Sequence, residues 1–137
     1  MEFSQKNLKI EGKWQVVKRH NSSVTVLAVG ATNDVAKHIS GATVVNARFV
    51  KPLDTALLDG ISGTIITLED NVLHGGFGSA VRDYVNGKNK VISLGHKNEF
   101  SDERSRQNML EKSGICTQRI QKIVDSELLL LENEKNI

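Results

Sequence analysis

The stretch Thr64–Val85, TIITLEDNVLHGGFGSAVRDYV, decides the fold. It opens on Thr64-Ile65-Ile66-Thr67-Leu68, a short β-branched run with the character of a buried strand. Two carboxylates follow, Glu69 and Asp70, and then a glycine-rich turn, His74-Gly75-Gly76-Phe77-Gly78-Ser79. After the turn Ala80, Val81, Tyr84 and Val85 recur at helical spacing. The stretch therefore reads as a strand, a polar loop and a glycine-opened helix. Ligands and partner surfaces gather at the carboxyl ends of strands in an open α/β sheet. The same stretch is thus the first candidate for function.

Upstream, Trp14-Gln15-Val16-Val17-Lys18 alternates as a half-buried or edge strand does, and Asn21-Ser22-Ser23 is a turn cluster. Val24–Val29 is apolar enough to be buried on both faces. Gly30 ends it, Thr32 or Asn33 is placed to cap a short helix through Ile39, and Gly41 closes that helix. Ala42–Asn46 is a third strand, leading into Ala47–Asp54, where the only proline, Pro52, stops regular structure. Asp54 is placed to cap a helix over Thr55–Asp59. Downstream of the opening stretch, Val91–Leu94 is a fifth short strand. Ser101–Lys112 reads as a helix, and a final amphipathic helix carries Ile120, Ile123, Val124, Leu128 and Leu131, a face for its own sheet, which is preferred, or for a dimer partner. Residues 1–9 are expected to be a flexible N-terminus, 10–131 the domain, and 132–137 a charged tail. Strands and helices alternate from Val24 onward, which predicts an α/β domain whose mostly parallel sheet is covered on both faces.

Composition narrows the function classes. The 137 residues suit one domain with one packed core. Eighteen basic against sixteen acidic residues give a net charge of +2, too even for a nucleic-acid footprint, and aromatic residues are only 4% of the chain. No nucleic-acid partner is expected. Cys116 is the single cysteine, which excludes an internal disulfide and fits a reducing, cytoplasmic setting. The opening MEFSQKNLKIEGKW has no apolar signal-peptide core, and Leu128–Leu131 is far too short to span a bilayer, so no membrane partner is expected.

Several spaced motifs resemble the C-terminal domain of the transketolase family. They are Asn46-Ala47-Arg48-Phe49-Val50-Lys51-Pro52-Leu53-Asp54, then Leu68-Glu69-Asp70-Asn71, then Gly75-Gly76-Phe77-Gly78-Ser79-Ala80-Val81. Gly12–Val17, Thr25–Gly30, Leu94-Gly95 and Leu110–Ile115 fit the same layout, so the resemblance spans roughly residues 8–125. The wording at Ala47–Asp54 most resembles the 1-deoxy-D-xylulose-5-phosphate synthase branch. Transketolases and the beta subunits of 2-oxo-acid dehydrogenases share the layout with looser wording. The resemblance implies a three-layer sandwich with a five-stranded sheet and one antiparallel edge strand. It also implies a thiamine-diphosphate enzyme, with a divalent metal (Mg), that condenses pyruvate with glyceraldehyde 3-phosphate in isoprenoid precursor synthesis. This chain would be only its last domain, working with thiamine-binding domains in cis or as a separate chain, in a homodimer. The family's Gly-Asp-Gly motif with its following Asn is missing here, since Asp59-Gly60 lacks the leading glycine. The resemblance therefore implies no cofactor site, no catalytic residue and no activity for this chain alone. Two departures stand out: a short helix after Gly30, and His96–Asp102 in place of the family's Pro-Asp and His-Gly around the phenylalanine.

The candidate site residues have competing readings. Gly75, Gly76 and Gly78, with Ser79, would either present N–H groups to a phosphate at a helix start or simply form a tight turn and let the helix approach the sheet. Packing is preferred, because the spacing fits neither the P-loop nor the dinucleotide fingerprint. Glu69 and Asp70 would be an acid–base pair, or carboxylates at a strand end that meet a basic neighbour. Arg48 and Lys51, following what is taken as the adjacent strand, are the neighbours expected, and an interdomain polar contact with Asp54 nearby is the preferred role. His20, His38, His74 and His96 form no i,i+4 pair, so no metal site is expected. His74, beside the glycine turn, is the best functional candidate of the four. The alternative from a different class is a free-standing regulatory module that holds a small anion at Gly75–Ser79.

Overall fold

A computed structural model describes residues 13–48, 50, 52–69, 76–95 and 116–135. Its strands are β1 (Gln15–Lys18), β2 (Val24–Ala28), β3 (Thr43–Asn46), β4 (Thr64–Glu69) and β5 (Val91–Gly95). Its helices are α1 (Asn33–Ala36), α2 (Thr55–Asp59), α3 (Phe77–Val85) and α4 (Thr117–Lys135). The sheet order is β1-β3-β2-β4-β5. β1 runs antiparallel to β3, and every other pairing is parallel. This is the α/β sandwich with an antiparallel edge that the sequence predicts.

The central strands β2 and β4 are buried along their whole length, as apolar strands covered on both faces must be. Alternate side chains point to opposite layers. Val24, Val26, Ala28, Val44, Ile66 and Leu68 pack against Ala36 of α1 and Ile120 and Val124 of α4. Leu27, Val45 and Ile65 face the other way, against Leu58 of α2 and Phe77, Val81 and Val85 of α3. The final helix thus faces its own sheet, and it continues through Lys135 into the charged stretch at the end of the chain.

Three local expectations shift. The segment after Gly30 is a 3-10 turn (Gly30–Thr32) followed by the single turn of α1, with no side-chain cap. Thr32 does not cap because its hydroxyl donates to the carbonyls of Val29 and Leu68, at 2.7 and 3.2 Å. On α3 the buried face is Phe77, Gly78, Val81 and Val85, whereas Tyr84 is exposed. Its hydroxyl turns outward to donate to Asp59 Oδ1 at 2.8 Å. Finally, β2 lies between β3 and β4, so Arg48 does not follow the strand next to Glu69. The expected Ser101–Lys112 helix and the His96–Asp102 segment lie outside the described residues.

Candidate functional site

The carboxyl ends of β2, β3 and β4 converge on one edge of the sheet, and polar groups of the chain bind one another there. Glu69 ends β4 as a buried carboxylate. Its Oε1 accepts from the N–H of Gly76 at 3.2 Å, and its Oε2 from the N–H of Gly78 at 2.5 Å. These amides open α3, where orphan N–H groups and the helix dipole favour negative charge. Gly76 stands at φ 88, a left-handed conformation that suits glycine. Gly78 is needed for a different reason: a Cβ there would come within 2.4 Å of Ser93 Oγ and 2.9 Å of Thr67 Oγ1. The turn is therefore built so that α3 can lie directly on β4 and β5, with Glu69 anchoring its start.

Asp54 performs a comparable task at the start of α2, on the same face of the sheet as α3. It is buried, its Oδ1 caps α2 by accepting from the Leu57 N–H at 3.1 Å, and its Oδ2 accepts from the Trp14 N–H at 2.8 Å. One carboxylate thus starts a helix and ties the chain ahead of β1 to a segment forty residues away. The Trp14 ring then meets Phe77 edge-on, with centroids 5.7 Å apart. Between these anchors Asn33 Nδ2 donates to the carbonyls of Ala28 and Gly30 and to Asn46 Oδ1, closing the gap between β2 and β3.

Of the sequence candidates, the fold brings Glu69, Gly76 and Gly78 into direct contact. Ser79 is exposed on the first turn of α3, and Arg48 is exposed just past β3. Asp54 sits under α2. Lys51, Asp70, His74 and Gly75 lie outside the described residues. Sequence reading missed Thr32 and Asn33 as ties across strand ends, because a polar pair before a helix looks like a cap. It also missed Trp14 as the partner of Asp54, which no local pattern signals.

The described residues do not fit a thiamine diphosphate–metal group. No three of their His, Cys, Asp and Glu side chains come together to hold a metal ion, and Glu69 already takes the Gly76 and Gly78 N–H groups that a diphosphate would need. Among the described residues no helix is long and apolar enough to cross a membrane.

The family model described as "Transketolase, C-terminal domain" matches residues 12–120. The chain belongs to that family. It is 38% identical over 125 residues to the 1-deoxy-D-xylulose-5-phosphate synthase of Francisella tularensis subsp. holarctica, a match covering 83% of this chain and 20% of that protein. With the enzyme of the same name from Clostridium beijerinckii it is 36% identical over 129 residues, covering 84% of this chain and 21% of the relative. The chain thus spans about a fifth of the length of these curated relatives. Among solved structures it is similar to a "Split gene transketolase, inactive beta4 tetramer", with TM-score 0.66 and 27% identity, over 87% of this chain and 43% of that one. The family's C-terminal domain is thus the frame for Glu69 and the glycine turn.

Proposed function

We propose that this chain is the C-terminal docking domain of a 1-deoxy-D-xylulose-5-phosphate synthase, inactive alone and working with thiamine-binding domains that carry thiamine diphosphate and Mg. The observation that carries this reading is the match to synthases over most of this chain but only a fifth of theirs. The polar edge of the sheet supports it. Glu69 and Asp54 are bound by the chain's own N–H groups, so they shape a surface rather than attack a substrate. Arg48 and Ser79 are then exposed for a partner domain, and Lys51, Asp70, His74 and Gly75 belong to the same docking segments by their place in the sequence. The partner is present in cis or as a separate chain, a second arrangement favoured by the likeness to a split-gene transketolase. The assembled enzyme is a homodimer in the cytoplasm, a setting in keeping with the single cysteine.

Reconstitution tests this. The chain is mixed with separately produced thiamine-binding domains, cofactor, Mg, pyruvate and glyceraldehyde 3-phosphate, and carbon dioxide release is followed. Release that depends on the chain, and that falls on Arg48→Ala, is expected. Folded components that neither associate nor gain activity would overturn the docking role.

A further inference from the structure

At the opposite end of the sheet from the glycine turn lies a cleft of about 370 Å³, between the amino ends of β2 and β3 and the helix α2. That volume falls in the range of small-molecule sites. Its lining divides by chemistry. Val16, Val45, Leu57 and Ile61 give it an apolar wall. The polar lining is Arg19, His20, Ser22, Thr25, Thr43 and Ser62, and among the described residues no Asp or Glu lines the cleft. A chain with nearly balanced charge has thus gathered cationic and hydroxyl-bearing residues around one concavity, with no carboxylate among its described lining.

The donors are held in place by the fold. β1 pairs Val16 with Val45 but Lys18 with Val44, so the register shifts between Val16 and Lys18. Such a bulge re-aims the side chains beyond it. Val16 stays on the α2 layer, and Lys18 crosses to the other layer, where its ammonium donates to the Ile39 carbonyl. Arg19 and His20 follow the bulge and return to the cleft. The Thr43 hydroxyl clamps the His20 backbone, accepting from its N–H and donating to its carbonyl, each at 3.0 Å. His20 Nδ1 accepts from the Ser22 N–H at 3.1 Å, which puts the ring proton of neutral His20 on Nε2. The imidazole is therefore a donor at its outer nitrogen.

We propose that this cleft binds a small phosphate monoester. Arg19 takes the phosphate as a bidentate, charge-assisted partner. His20 Nε2 and the Thr25 and Ser62 hydroxyls donate to its remaining oxygens, and its carbon portion lies on Val16, Val45, Leu57 and Ile61. A phosphate is favoured over a carboxylate because the donors outnumber the lone pairs that two oxygens offer. The site is separate from the docking edge and does not depend on the synthase reading.

Phenyl phosphate, inorganic phosphate, phenol and benzoate are the probes, titrated into the full chain while backbone amide NMR signals are followed. Saturable shifts at Ser22, Thr25, Thr43 and Ser62 are expected with phenyl phosphate, weaker ones with inorganic phosphate, and none with phenol. Arg19→Ala removes an exposed side chain and is expected to weaken phenyl phosphate binding at least about tenfold. Ala56→Glu, which puts a carboxylate on the exposed rim, is expected to abolish it while the spectrum stays dispersed. Unsaturable shifts, unchanged affinity in Arg19→Ala, equal affinity for benzoate, or shifts at Gly76 and Gly78 instead would each overturn the proposal.

Discussion

A buried carboxylate stands at each end of strand β4, and the two are held differently. At its carboxyl end Glu69 is bound by two backbone N–H groups at the start of α3. At its amino end Glu127 reaches in from α4, accepting from Thr64 Oγ1 at 3.0 Å and pairing with Lys90 Nζ at 2.9 Å. Both carboxylates are nearly inaccessible, but their partners are not alike. The N–H groups of Gly76 and Gly78 are fixed by the helix they open, so Glu69 meets donors that are already oriented. Lys90 is 57% exposed, so its pairing with Glu127 is screened by water and salt. One end is a backbone lock, and the other is a side-chain strap.

A glycine sits beside each carboxylate, and here the amino end is the stricter. Gly63 stands at φ 88, and a Cβ there would lie 2.1 Å from the Ser23 carbonyl oxygen. Backbone cannot move aside as a side chain can, and the left-handed conformation adds its own cost. Gly63→Ala is expected to lose about 2–5 kcal/mol in chemical denaturation, the largest single effect. Gly78→Ala, opposed by the side chains of Ser93 and Thr67, is expected to lose about 1–3 kcal/mol. Equal losses would break the contrast between backbone and side-chain contacts.

The carboxylates themselves give the next effect. Glu69→Ala leaves the buried Gly78 N–H without its acceptor and is expected to lose about 2–3 kcal/mol, little changed by salt. Lys90→Met should lose about 1 kcal/mol or less, and that difference should shrink in high salt. Parallel denaturation series at low and high ionic strength check both; a salt-sensitive Glu69 or a salt-insensitive Lys90 would erase the distinction.

The smallest effect comes from the exposed Tyr84–Asp59 contact. The hydrogen bond to the Asp59 carboxylate raises the Tyr84 pKa above its ordinary 10.0, because the acceptor favours the protonated phenol. The folded chain therefore holds this proton to higher pH than the unfolded chain. Its contribution is complete below pH 10 and is lost as pH climbs through the raised value. Tyr84→Phe should lower stability slightly and evenly from neutral pH up to about 10 and flatten the alkaline limb of a stability–pH profile.

These regions also separate what was legible in the sequence from what was not. The Asp54 cap on α2 was readable because a cap is local: an acceptor stands three residues before the N–H it satisfies. The buried character of β4 was readable from its short β-branched run. The partner of Glu69 was not. An Arg or Lys was expected there, yet the acceptor was taken by backbone amides that every residue carries and no side-chain pattern marks. Glu127 was invisible for the reverse reason: on an amphipathic helix a lone acid reads as a solvated position, and only the approach of Thr64 and Lys90 makes it interior.

The sequence by itself determined the family, the alternation of strands and helices, and which strands are buried on both faces. The family rests on the resemblance of its spaced motifs; the other two properties rest on short-range periodicity and turn chemistry, which neighbouring residues express without help. Only the tertiary structure decided that β2 separates β3 from β4, that Asp54 fastens Trp14 across forty residues, and that the bulge in β1 turns Arg19 and His20 toward one cleft. Such pairings depend on which distant segments the sheet brings together, and a hydrogen bond between distant residues leaves no trace in the local pattern of either.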